Sequence, residues 1–109
     1  MTISAVEYLD AGGRSPFGKW FEALAPANAA KVATAIVRLE QGNFSNAKSL
    51  SGGLFEYRMT FGPGYRVYFG KDGDTLIILL AGGTKRRQSR DIETARNRWR
   101  DYKRRAKEI

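Results

Sequence analysis

The sequence predicts an α+β fold: an N-terminal strand, a two-helix hairpin packed on an antiparallel-dominated sheet, a three-strand meander within that sheet, and a basic C-terminal helix. Three observations lead there. Between residues 17 and 39 apolar residues recur at three- and four-residue spacing, the period of one helix face. Between residues 55 and 69 they alternate with polar ones, the period of a strand. After residue 89 the helical spacing returns, now in a segment dense in arginine. At 109 residues, a single domain over 1–109 with one modest core is expected.

The elements follow in order. "TISAVEYL", residues 2–9, has β-branched residues in rough alternation and reads as the first strand. After the "DAGGR" loop, Ser15-Pro16 supplies an N-cap and a proline at the first helical position. Phe17, Trp20, Phe21 and Leu24 then share one face of a helix over 15–25. Pro26 ends that helix and opens the next, over 27–41. There Ala29, Val32, Ala33, Ile36 and Leu39 share a face, Lys31, Thr34 and Arg38 lie elsewhere, and Gly42 is the stop. "NFSNAKSLSGG", residues 43–53, reads as a polar loop. Phe55, Tyr57, Met59 and Phe61 alternate with Glu56, Arg58 and Thr60; beyond Gly62-Pro63-Gly64, Tyr65, Val67 and Phe69 alternate with Arg66 and Tyr68. "KDGD" at 71–74 is a hairpin turn. "TLIILLA", residues 75–81, is apolar on both parities, as a central strand covered on both faces would be. Gly82-Gly83 reads as a turn at its end. The last helix starts near Ser89, with Ile92, Ala95, Trp99, Tyr102 and Ala106 as a narrow docking stripe. Trp20 and Trp99 read as core anchors.

Composition excludes several chemistries. With no cysteine and no histidine there is no disulfide, no thiolate nucleophile, no usual zinc ligand and no imidazole acid/base. No metal and no cofactor is expected. The N-terminus lacks a basic start before an apolar run, so no signal peptide is expected. The longest apolar run, "LIILLA" at 76–81, is too short to span a bilayer, and a cytoplasmic protein with no membrane partner is the expectation. The net charge of +8 is one-sided: residues 1–84 hold 8 Lys/Arg against 7 Asp/Glu, residues 85–109 hold 11 against 4. Such a concentrated field favours a polyanionic partner, nucleic acid ahead of an acidic protein, over a merely solvated helix. Arg98, Arg100, Arg104 and Arg105 are the candidate contacts on that helix.

The meander carries two arginines that a small core does not need. If Gly62-Pro63-Gly64 closes a tight hairpin, Thr60 pairs with Arg66 and Arg58 with Tyr68. Glu56, Arg58, Thr60, Arg66 and Tyr68 then share one face, opposite the apolar face under the two helices. Two readings of that face stand side by side. Glu56 and Arg58 or Arg66 form an ordinary cross-strand ion pair, or the arginines, joined by Lys85, Arg86 and Arg87 after the third meander strand, form an exposed phosphate site.

The ordered set "AKSLSGGLFEYRMTFGPGYRVYF", "KDGDTLIILLAGGTK" and "QSRDIETA" resembles the RelE/ParE superfamily of bacterial toxins from toxin–antitoxin modules, closest to its HigB-like addiction module killer branch. With the helical hairpin before it, the resemblance covers nearly the whole chain. It implies a RelE-like fold and a ribosome-dependent mRNA endonuclease, an mRNA interferase that inhibits translation. It further implies ribosome and mRNA as partners, and a cognate antitoxin of the DNA-binding helix-turn-helix kind. In the implied site Arg66 contacts the scissile phosphate, Arg58 holds the substrate, Lys85 (or Arg86, if the loop is shifted by one) adds a cation, and Glu56 matches the acidic position of the branch. Gln88 closes the G-G-x-K-x-x-Q motif and falls among the RNA-binding candidates with Lys48, Tyr65, Tyr68, Arg86 and Arg87.

One departure stands out. Several relatives place a tyrosine or histidine near the C-terminus for proton transfer, and Ile92 occupies that place here. Lys48, Glu56, Tyr65 and Tyr68 remain open as the general base. Clustered guanidinium groups can still stabilise phosphate charge, and the ribosome can orient the message. Two rival readings accompany this one: a gyrase-inhibiting toxin of the ParE kind, and a non-catalytic nucleic-acid-binding module.

Overall fold

The computed structural model describes residues 2–107. β1 (Ser4–Glu7), α1 (Pro16–Glu22), α2 (Pro26–Glu40), β2 (Ala47–Ser49), β3 (Leu54–Arg58), β4 (Tyr65–Asp72), β5 (Leu76–Thr84) and α3 (Gln88–Lys107) follow in order, with a 3-10 turn at Lys85–Arg87 leading into α3. The five strands form one sheet in the order β1-β5-β4-β3-β2. β1 lies parallel to β5, and the other pairs are antiparallel. This is the expected α+β architecture, compatible with a RelE-like fold. No helix among the described residues is long and apolar enough to cross a membrane.

Local chemistry sets the helix ends. The Ser15 hydroxyl accepts from the Gly18 N–H at 2.9 Å, and Pro16 opens α1 without a wasted donor. After α2, Gly42 takes φ of 82°. Its N–H donates to the Leu39 carbonyl and that of Asn43 to the Arg38 carbonyl, both at 2.9 Å. That pair of bonds satisfies two orphan carbonyls and requires a left-handed residue, which glycine supplies without strain.

The sheet separates two cores. Phe17, Val32, Ala35 and Leu39 of the hairpin pack on Tyr57, Met59, Tyr65, Val67 and Phe69. On the other face Ala95 and Trp99 of α3 pack on Leu54, Tyr68, Ile78 and Leu80. β5 feeds both, as its double-sided apolarity predicts. A bulge opposite Tyr68/Phe69 inserts Leu80, so that Leu79 faces the hairpin while Leu80 and Ala81 face α3.

The second core corrects the expected open platform. α3 lies across the face that alternation assigned to Glu56, Arg58, Thr60, Arg66 and Tyr68. Glu56 and Tyr68 are wholly buried and Arg66 is 8% exposed; only Arg58 and Thr60 remain exposed. The physical reason is that Leu54, Tyr68 and the second parity of β5 present apolar surface that the Trp99 stripe can cover. Gly70 makes room, since a Cβ there would sit 2.4 Å from Trp99 ring carbons.

Three further expectations are corrected. Arg58 pairs with Arg66 and Glu56 with Tyr68, a slip of two from the expected register. The connection is a six-residue loop, 59–64, in which Gly64 N–H donates to the Phe61 carbonyl at 3.1 Å. An even slip leaves every side chain on its face, so the division into faces survives. Within 43–53 the edge strand β2 pairs with β3, where only loop was expected. Gly82-Gly83 is no turn but continues β5. The Trp20 ring passes over Gly82, where a Cβ would meet it at 2.1 Å, and Asp91 passes over Gly83.

Candidate functional site

At the end of the β3–β4 hairpin, Arg58, Arg66 and Lys85 line one cleft whose wall is the 59–64 loop. Each reaches it from a different element. Arg58 ends β3, Arg66 sits opposite it on β4, and Lys85 follows β5. Lys85 is pinned by its own backbone, whose N–H donates to the Gly64 carbonyl at 2.8 Å. No acidic residue among the described residues lines the cleft.

Arg66 is held by the loop rather than by a carboxylate. Its Nη1 donates to the carbonyls of Gly64 and Tyr65 at 3.1 Å each and of Met59 at 3.3 Å. Its Nε is buried without a partner among the described residues. One prong of the guanidinium is thus fixed by three carbonyls, which aims the planar group.

Arg58 is held by Glu56, on the same strand and the same face. Glu56 Oε1 accepts from Arg58 Nε at 2.7 Å, and Oε2 accepts from Gln88 Nε2 at 2.7 Å. Glu56 thus does pair with Arg58, but along β3 rather than across strands as expected, while Arg66 has no such partner among the described residues. Burial works to raise the Glu56 carboxyl, but the bonds from Arg58 and Gln88 and the Arg58 charge outweigh it, and the group lies below its ordinary value. Beside it, burial and then the Glu56 charge push the Tyr68 hydroxyl far above its ordinary range. Tyr68 stays a neutral phenol.

A family model described as Phage derived protein Gp49-like (DUF891) matches residues 19–100. An uncharacterized protein of Haemophilus influenzae is 43% identical over 81 residues, which is 73% of this chain and 82% of that protein. The chain belongs to the Gp49-like family. That family is associated with toxin–antitoxin modules, which implies a cognate antitoxin as partner. The matched span contains every residue of the cleft.

In this Gp49-like protein the other expected site residues are dispersed. Tyr65 points to the hairpin core, where its hydroxyl accepts from Asn28 Nδ2 at 3.1 Å. Tyr68 and Glu56 are wholly buried beneath α3. Gln88 is half-buried and donates to Glu56 Oε2. Lys48 is exposed on β2, directly across from Glu56. Arg86 and Arg87 are exposed and lie outside the cleft.

The basic helix is less free than its charge suggests. Arg98 Nη1 donates to the Leu80 carbonyl at 2.9 Å, and Arg96 Nη2 to the Leu50 carbonyl at 2.8 Å. Arg104 and Arg105 both pair with Asp101, which also accepts from the Tyr8 hydroxyl at 2.6 Å. Arg100 is exposed and bonds Asn97 Oδ1 at 3.2 Å. Arg98 thus fastens α3 to β5, Arg96 to the loop after β2 and Arg105 to the Leu9 carbonyl after β1, whereas Arg100 and Arg104 bond only within α3 among the described residues. Two cations that the sequence placed off the apolar face of α2 but not among the site candidates, Lys31 and Arg38, line a groove beside the cleft. Their seven-residue spacing on the outer side of α2 was the available signal.

Proposed function

We propose that this protein is the toxin of a toxin–antitoxin module and cleaves mRNA on the ribosome. The observation that carries the reading is the convergence of Arg58, Arg66 and Lys85 on one cleft that no acidic residue lines among the described residues. RNA cleavage by the substrate's own 2′-hydroxyl forms a bond from that oxygen to phosphorus and breaks the bond to the 5′-oxygen. A 2′,3′-cyclic phosphate and a 5′-hydroxyl result. Negative charge grows on the phosphate oxygens as the new bond forms, and fixed cationic donors lower that barrier most when they need no rearrangement. Arg66, aimed by three carbonyls, is assigned to the scissile phosphate. Arg58, aimed by Glu56 and through it by Gln88, holds the adjoining backbone. Lys85 adds a mobile point charge. Proton transfer falls to groups outside the buried Glu56–Tyr68 pair, and ribosomal placement of the message supplies orientation.

Brief induction in cells, followed by mapping of transcript 5′ ends, tests the reading. New ends within coding sequence together with arrested translation are expected. A DNA-damage response with intact transcripts would overturn it in favour of gyrase inhibition.

A further inference from the structure

A second groove runs between α2 and the β2–β3 side of the sheet. Lys31, Arg38 and Arg58 line it, and no acidic residue among the described residues does. Lys31 Nζ stands over the Phe61 ring, 4.6 Å from its centroid, which fixes where that charge sits. Lys31 and Arg38 are exposed, and neither is ion-paired among the described residues. They are seven residues apart on α2, about 10 Å along its axis. Arg58, Met59 and Thr60 line both this groove and the cleft of Arg66 and Lys85. Groove and cleft therefore adjoin, sharing a rim of Arg58, Met59 and Thr60.

Two cations without an ion pair among the described residues, Lys31 and Arg38, beside a cleft of three more suit a polyanionic chain laid across both. We propose that the groove is a single-stranded RNA track, with Lys31 and Arg38 contacting backbone phosphates of the nucleotides next to the cleavage point. This rests on the RNA-cleaving reading for its direction but predicts binding that is measured without cleavage. The alternative occupant, an acidic segment of a protein partner, does not by itself account for the junction with the cleft.

The test compares wild type, the Lys31→Ala/Arg38→Ala double variant and Arg66→Ala. Each binds a labelled single-stranded RNA of about ten nucleotides and one of about three, at several salt concentrations. A single strand loses about 0.7 in salt slope per phosphate contact removed, so the double variant should lose about 1.4 on the long RNA. Its affinity there should fall about tenfold at low salt, with no change on the short RNA. Arg66→Ala should weaken both. Unchanged affinity and slope in the double variant would overturn the track. So would normal RNA binding coupled to lost affinity for the coexpressed antitoxin, which would make the groove a protein-docking site. If wild type cuts no transcript yet the double variant still loses the long RNA selectively, the track stands and the catalytic reading falls. If the double variant binds and cuts normally while Arg66→Ala is inactive, the track falls and the catalytic reading stands.

Discussion

Replacing Arg66 by alanine separates what this side chain does for the fold from what it does in the cleft. An arginine on an open sheet face would cost little to remove, within about 0.5 kcal/mol. Here the side chain is 8% exposed and its Nη1 serves three loop carbonyls at 3.1 to 3.3 Å. A hydrogen bond to a charged group contributes about 1.5–3 kcal/mol net. The three bonds share one nitrogen, and the vacated carbonyls at the cleft regain water, so they do not add. Deletion also relieves the cost of a buried, unpartnered Nε. The balance is a loss of about 2 kcal/mol, which for a domain near 100 residues is a fall of about 8–16 °C in Tm. Urea unfolding and calorimetry on the purified variant measure it, with an unchanged urea slope confirming that the unfolded state is unaltered. Arg66→Lys keeps a donor in the loop and should lose less. A Tm within about 2 °C of wild type for Arg66→Ala would refute the claim that the guanidinium braces the 59–64 loop.

Three other outcomes follow from the same geometry. Gln88→Glu sets a second carboxylate at the position now 2.7 Å from Glu56 Oε2. Like charges raise the pair's proton affinity in the folded state, so this variant should gain stability as pH falls toward about 5, where wild type does not; parallel pH profiles would contradict it. Gly82→Ala drives a methyl into the Trp20 ring, 2.1 Å from its nearest carbon, and should cost about 1–3 kcal/mol, read as a lowered Tm; an unchanged Tm would contradict the close approach. The Tyr8 hydroxyl first, then Arg104 and Arg105, hold the Asp101 carboxyl down at about 2. A depressed acid stabilises the fold above its unfolded value and loses that contribution as pH falls, so wild type should weaken from about pH 4 to about pH 2. Asp101→Asn should lack this component of the acid transition, and identical acid profiles would argue against the contact.

The meander was legible because its signal is local. Period two over 55–69 assigned each side chain to a face, and a register error of two could not disturb that assignment. Whether the second face is covered is a different question, decided by where α3 docks. The stripe through Ile92, Ala95, Trp99 and Tyr102 announced that the helix packs, and the double-sided apolarity of 75–81 announced a cover. The charges on Glu56 and Arg66 drew attention away from Tyr68 and Leu54, which form the floor beneath that cover. β2 was not legible because three residues, Ala47–Ser49, are too short to show a period. Gly82-Gly83 looked like punctuation, yet both glycines serve the close approach of Trp20 and Asp91. For the same reason the arginines of α3 read as a free polyanion surface, when several are bonded to carbonyls and to Asp101.

Lys85→Ala is the most direct test of the cleft as the place of catalysis. Lys85 is exposed, and the backbone bond that pins it to Gly64 at 2.8 Å survives the substitution. Stability should stay within about 0.5 kcal/mol of wild type. Loss of one electrostatic donor to the developing phosphate charge should still slow ribosome-dependent mRNA cleavage about 10²-fold. Cleavage rate and Tm measured on the same preparation decide the matter: a stable, nearly inactive Lys85→Ala is the predicted result, and a stable, fully active one would contradict the account.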